Sequence, residues 1–233
     1  MAYFDVDPGK IHVVPFGPSL NLAPGADEVE GIIAGRSAGL RCAMDSPPGT
    51  DFHPNHGPVR LLFMGVDWQR KGGDIAVAVT AALMRAGIHI ELHIVGAAFP
   101  GPIPGVRGHG FISAGTMEGR TRLDTLLRQS TFLLLPTRAD CVPVVLAEAC
   151  SFGLPILTTT VGGIPGLFTD GVEGRLFPVG SPPEAYVEAV RSLLDEPEAY
   201  AAMCRRARAA YEERLNWPHA ARTALGLMEM AVS

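Results

Sequence analysis

Positive charge is in deficit in this chain: 19 lysines and arginines face 24 aspartates and glutamates, for a formal net charge of -5. No basic field that could hold a nucleic acid or an anionic membrane surface arises from that balance, so nucleic acid is excluded as a partner. Cysteine is scarce too. Cys42, Cys141, Cys150 and Cys204 form no C-x-x-C pair and show no zinc-ligand spacing, so they read as free thiols in a cytoplasmic protein. Residues 1–10 lack the apolar core of a signal peptide, and no apolar run is long enough to span a bilayer. There is no internal repeat and no low-complexity tract.

What is present is core-forming material: 233 residues, 47% hydrophobic and 18% charged. Residues 60–66 (RLLFMGV), 90–95 (IELHIV), 131–135 (TFLLL) and 154–159 (LPILTT) are short apolar runs and read as strands. Residues 74–86, 121–129, 144–152, 183–195 and 197–215 read as helices. Asp74 is the expected N-cap of the first, Gly87 and Gly153 follow the first and third, and Pro183 and Pro197 open the last two. Strands that are apolar on both faces and separated by helices predict an α/β fold, a Rossmann-like doubly wound parallel sheet. The Gly/Pro-rich residues 21–58 read as an irregular insertion or loop, and residues 217–233 as one more helix. Doubly wound sheets bind ligands beyond the carboxyl ends of their strands. Function should therefore lie in the loops after Val66, Val95, Leu135 and Thr159.

Three of these loops carry chemistry. Residues 65–73 (GVDWQRKGG) lead from a strand into a helix whose N-terminus can meet a phosphate, with Lys71 adding a full charge. No Ser or Thr follows that lysine where a P-loop needs one. In residues 135–149, Asp140 lies in the loop and Glu148 lies on the helix among Leu146, Ala147, Ala149 and Cys150. A carboxylate in such surroundings is costly unless it accepts hydrogen bonds. The two hydroxyls of a ribose would supply them; a carboxylate that caps a neighbouring loop is the plainer alternative. Residues 158–165 (TTTVGGIP) place Gly162 and Gly163 before a short helix, offering a second set of N–H groups to an anion.

Five motifs follow one another in a fixed order. Gly65 precedes Lys71-Gly72; Asp140 and Glu148 have seven residues between them; Glu148-Ala149 runs on to Gly153-Leu154-Pro155. Gly162-Gly163-Ile164-Pro165 comes next, and then Gly171-Val172-Glu173-Gly174-Arg175-Leu176-Phe177. Together they resemble the C-terminal, donor-binding domain of the family-4 retaining glycosyltransferases (glycosyl transferases group 1), one half of a GT-B fold. Residues 10–17 (KIHVVPFG) resemble the linker that enters that domain. The resemblance divides the chain into a linker remnant (1–20), the segment 21–58, a nucleotide-sugar-binding Rossmann-like domain (59–216) and a crossing helix (217–233).

The resemblance also implies roles. Lys71, Asp140 and Glu148 form the catalytic set, with Lys71 on the donor diphosphate, Glu148 on the ribose hydroxyls and Asp140 facing the sugar. Donor contacts are implied for Gly65, for the amides of Val144 and Val145, and for Gly162 and Gly163. Gly110, Phe111 and Ile112 fall where the family places the base. Val66 stands where the family usually carries an arginine, so Arg70 or Arg138 is expected to replace that cation, with Arg138 assigned to the donor. Asp140 is one methylene shorter than the usual glutamate, and Pro143 replaces a usual glycine, removing one N–H.

Members of this family transfer sugar with retention of configuration and usually without a metal. The task is to stabilise charge on a departing nucleoside diphosphate, which helix N-termini and a lysine can do electrostatically. No metal and no cofactor are therefore expected. The partners are a nucleoside-diphosphate sugar bearing a hexose, a glycan or lipid acceptor, and the family's N-terminal acceptor-binding domain, which this chain lacks. The chain is expected to work as part of a longer parent and to transfer nothing alone. An uncovered interdomain face leaves room for a homodimer, and the parent for peripheral membrane association. A non-catalytic nucleotide-sugar-binding or interaction module is the second reading. A nicotinamide oxidoreductase would need a Gly-x-Gly-x-x-Gly turn that residues 65–73 do not contain. His89, Glu91 and His93 alternate along one strand, a weak pattern for a metal site.

Overall fold

The apolar runs become strands because each is covered on both sides. Leu61, Leu62, Phe63, Leu92, Ile94, Leu133, Leu134, Ile156 and Leu157 have no accessible surface. The computed structural model describes residues 7–20, 23–44, 57–98 and 101–232. In chain order its elements are α1 (Ala26–Met44), β1 (Val59–Gly65), α2 (Trp68–Lys71), α3 (Gly73–Arg85), β2 (Ile90–Gly96), β3 (Val106–Gly108), α4 (Met117–Gln129) and β4 (Phe132–Leu135). There follow α5 (Val144–Ser151), β5 (Ile156–Thr159), α6 (Ile164–Leu167), β6 (Gly174–Phe177), α7 (Pro183–Asp195), α8 (Pro197–Glu213) and α9 (Trp217–Val232).

All strand pairs are parallel, in the order β3-β2-β1-β4-β5-β6. The chain starts in the middle, runs to one edge, then returns to the other side of β1. The order thus reverses between β1 and β4, and the crevice beyond their carboxyl ends is where such a sheet takes a ligand. Gly65 ends β1 opposite Gly96 at the end of β2, and Leu135 ends β4 opposite Thr158 of β5. The predicted doubly wound sheet is thus the observed one, with β3 and β6 as short edge strands.

Two expectations are corrected. Asp74 is not the helix cap. Asp67 caps the one-turn α2, its carboxylate accepting from the Arg70 N–H at 3.1 Å, and Gly72 joins α2 to α3 at φ 77°. A side chain at Gly72 would collide with the Pro136 carbonyl, so close approach of the β1 and β4 loops requires glycine there.

The second correction concerns residues 21–58. They are not an irregular loop throughout: α1 occupies 19 of them and packs against α8, while residues 45–56 lie outside the described residues. Val29, Ile33 and Leu40 bury one face of α1, and Arg36 shares that face at 8% exposure. The Arg36 guanidinium donates to the carbonyls of Leu127 (2.7 Å) and Arg128 (3.4 Å) in the last turn of α4. It also donates to those of Phe152 (3.1 Å) and Gly153 (2.9 Å) after α5. These are helix-end carbonyls without intrahelical partners, and one buried cation serves both ends.

Among the described residues no helix is long and apolar enough to cross a membrane. α9 leaves Leu225, Met228 and Met230 exposed.

Candidate active site

The β1 loop and the β4 loop meet at the reversal point through charge. Lys71 runs across Gly65, where a Cβ would stand 2.9 Å from Lys71 Cγ, and its Nζ donates to Asp140 Oδ2. Arg70 Nη1 donates to the same carboxylate oxygen at 3.3 Å and to the Ala139 carbonyl at 3.1 Å. Arg70 Nε also holds Asp67 at 3.1 Å. Backbone links fix the two loops: the Arg138 N–H and the Thr137 hydroxyl donate to the Arg70 carbonyl at 2.8 and 3.0 Å. Two cations of one loop therefore converge on the acid of the next.

Arg138 is not among them. It grips both oxygens of Asp74 at 2.7 Å and the Gln69 carbonyl at 2.7 Å. That hydrogen-bonded pairing lowers the Asp74 pKa and raises that of Arg138. The cation brought to Asp140 beside Lys71 is Arg70.

The glycine pair of the third loop serves packing. A side chain at Gly162 (φ 58°) would collide with the Asp140 carbonyl. The Gly163 N–H donates to the Cys141 carbonyl at 2.6 Å, and the Ile164 N–H to that of Val161 at 3.2 Å. The expected second set of anion-binding amides is thus largely engaged within the loops, and the pair's contribution is to hold the Asp140 loop in place. The start of α5 differs: Pro143 precedes it, and the amide end of the helix at Val144 and Val145 has no side-chain cap.

Glu148 lies deeper, 7% exposed. Burial pushes its carboxyl above the usual glutamate range, and the nearby backbone N–H groups of Leu20 and Ser19 draw it partly back. Beside it is a cavity of about 200 Å³ lined by Ser19, Leu20, Gly65, Gly96, Phe111, Ile112 and Glu148, among others. Phe111 is 74% exposed at its edge, while Gly110 stands behind, its carbonyl accepting from the Gly96 N–H at 2.9 Å. Phe111 and Ile112 thus reach the cavity and Gly110 supports the turn. Sequence reading missed Ser19 and Leu20, which lie 128 or more positions from Glu148 and carry no local signal.

The alternating His89, Glu91 and His93 do not converge as a ligand set. His93 contacts His109 (Nδ1 to Nε2, 3.0 Å) and Glu91 (3.4 Å), and Glu91 binds Arg107 at 2.6 Å. Burial, chiefly, lowers the pKa of both histidines. Among the described residues no group of three or more His, Cys, Asp or Glu is placed to hold a metal ion.

Sheet order, loop pairing and cavity together define a Rossmann-like domain of GT-B type. Solved structures agree on the fold. WaaG, a glycosyltransferase involved in lipopolysaccharide biosynthesis, superposes with a TM-score of 0.64 at 20% identity over 95% of this chain and 57% of its own. Anabaena HepE in complex with UDP-glucose gives 0.63 at 15% identity, over 93% and 56%. The family described as glycosyl transferases group 1 matches residues 58–196, and the chain belongs to it. A D-inositol 3-phosphate glycosyltransferase of Segniliparus rotundus is 28% identical over 232 residues, covering 92% of this chain and 46% of its own length. The chain spans about half the length of the curated relatives it matches.

Proposed function

We propose that this chain is the donor-binding half of a retaining glycosyltransferase that moves a hexose from a nucleoside diphosphate to a glycan or lipid acceptor. The observation that carries the reading is one crevice with two ends. Lys71 and Arg70 hold Asp140 at its mouth, and Gly65, against which Lys71 packs, also lines the cavity bordered by Glu148.

Lys71 and the amides of Val144 and Val145 meet the diphosphate, and Arg70 supplies the second cation. As the bond to the sugar breaks, negative charge grows on the departing phosphate, and these donors are already aimed at it. Glu148 accepts from the ribose hydroxyls, whose hydrogen bonds offset the cost of a buried carboxylate. Asp140, now bound by Lys71 and Arg70, faces the sugar once the diphosphate takes over those cations. Phe111 and Ile112 border the base. This electrostatic scheme calls for no metal from the residues of the site.

The experiment is a calorimetric titration of UDP, GDP and ADP into the chain, with a parallel assay for sugar transfer. One diphosphate should bind, and transfer should require the remainder of a parent protein. Failure of all three to bind a folded chain would remove the donor-site reading. Vigorous transfer by the chain alone would remove its dependence on a second domain.

A further inference from the structure

The segment that reaches Glu148 is fastened at one corner of the molecule. Asn216 closes α8 and opens α9 at once. Its Nδ2 donates to the carbonyls of Tyr211 (2.7 Å) and Glu212 (2.8 Å), and its Oδ1 accepts from the His219 N–H at 2.9 Å. Two residues earlier, Arg214 is tied to the buried Glu173 and donates to the Leu167 carbonyl at 2.9 Å. Trp217 therefore projects from a rigid base although its side chain is largely exposed.

Residues 16–18 wrap around that indole. Trp217 Nε1–H donates to the Pro18 carbonyl at 2.9 Å. The Phe16 ring stacks on it, centroids 6.3 Å apart and planes 25° from parallel. Gly17 approaches so closely that a Cβ would stand 2.5 Å from the Trp217 nitrogen and 2.7 Å from its Cδ1. The next two residues, Ser19 and Leu20, line the same cavity as Glu148, and their backbone N–H groups favour its ionised form.

We propose that Trp217 is a positioning residue of the donor site: by clasping residues 16–18 it sets the Ser19 and Leu20 amides that aim the Glu148 carboxylate into the cavity. The proposal rests on the reading of Glu148 as the ribose acceptor. A carboxylate offers about four lone-pair sites on two oxygens. Two amides can therefore fix its orientation while sites remain for both ribose hydroxyls. Those amides also favour the ionised form, which is the form that accepts. Among the described residues, burial and these two amides are the influences on the proton affinity of Glu148. Loosening the clasp should therefore show directly in its titration.

The test uses Trp217→Phe, which keeps an aromatic ring and removes the N–H, and Gly17→Ala, which drives a Cβ into the corner. The Glu148 carboxyl is followed by carbon NMR, assigned by its disappearance in Glu148→Gln. The affinity for whichever of UDP, GDP and ADP the unaltered chain binds is measured alongside. Both variants should titrate Glu148 at higher pH and bind about fivefold more weakly at neutral pH, with the deficit shrinking as pH rises. A Glu148 titration that stays put in both variants overturns the proposal, as does a shifted titration with unchanged affinity. An unaltered, folded chain that binds none of the three overturns the ribose reading itself, before any variant is made.

Discussion

The two ends of the crevice are built from opposite materials. At the mouth, Lys71, Arg70 and Asp140 hold one another by side-chain charge, on loops brought together by Gly72 and Gly162. At the floor, Glu148 forms no ion pair among the described residues and lies near two backbone N–H groups from a distant segment. On the proposed reading, the mouth neutralises charge that a diphosphate brings, exchanging one anion for another. The floor keeps a carboxylate that burial disfavours, and on the proposed reading the hydroxyl donors of a ligand offset that cost.

The largest effect should come from the mouth. Lys71→Ala should weaken diphosphate binding about 100-fold by calorimetry, since a charge-assisted contact is lost and Asp140 keeps only Arg70. Glu148→Gln should cost about tenfold, because one acceptor oxygen remains. Salt then separates the two ends. Between about 0.05 and 0.5 M NaCl the Lys71→Ala deficit should shrink severalfold, because ions screen charge at the mouth. The Glu148→Gln deficit should stay constant. Equal salt response at both ends would erase the distinction.

Stability should move the other way from function at the floor. The folded-state pKa of Glu148 is raised above its unfolded value of 4.5. The folded chain thus holds this proton more tightly, and the stability so gained is present below the unfolded pKa and lost as pH rises through the folded one. Glu148→Gln carries no such loss. Its melting temperature should match the unaltered chain in acid and exceed it by about 2 °C at pH 8. A variant less stable at every pH would mean that the two amides outweigh burial. The smallest effect is expected at Arg138, already bound to Asp74 and the Gln69 carbonyl. Arg138→Ala should change diphosphate affinity by less than about twofold, against about fivefold for Arg70→Ala.

Much of the scaffold was legible because its strands announce themselves. Runs such as LLF at 61–63 and FLLL at 132–135 are apolar on both faces, as a covered parallel sheet demands. Helix α1 was not legible, for two reasons. Gly31, Gly35 and Gly39 repeat along it where a Cβ would meet nothing, lowering helix propensity without marking a contact. Its buried face also includes Arg36, which breaks the apolar period that would have revealed it. At the site, Lys71, Asp140 and Glu148 were legible because they sit in strand-end loops or just beyond them. Choosing Arg70 over Arg138 needed the Asp74 pairing, a contact between side chains 64 positions apart. The Ser19 and Leu20 amides were invisible because a backbone donor has no sequence signature.

The most direct test is a crystal structure of the chain with the nucleoside diphosphate that calorimetry selects. The account predicts Lys71 Nζ on a phosphate oxygen instead of Asp140, both ribose hydroxyls on Glu148, and the Ser19 and Leu20 amides bonded to that carboxylate. A diphosphate seated elsewhere, with the Lys71–Asp140 pair intact and Glu148 untouched, would contradict it.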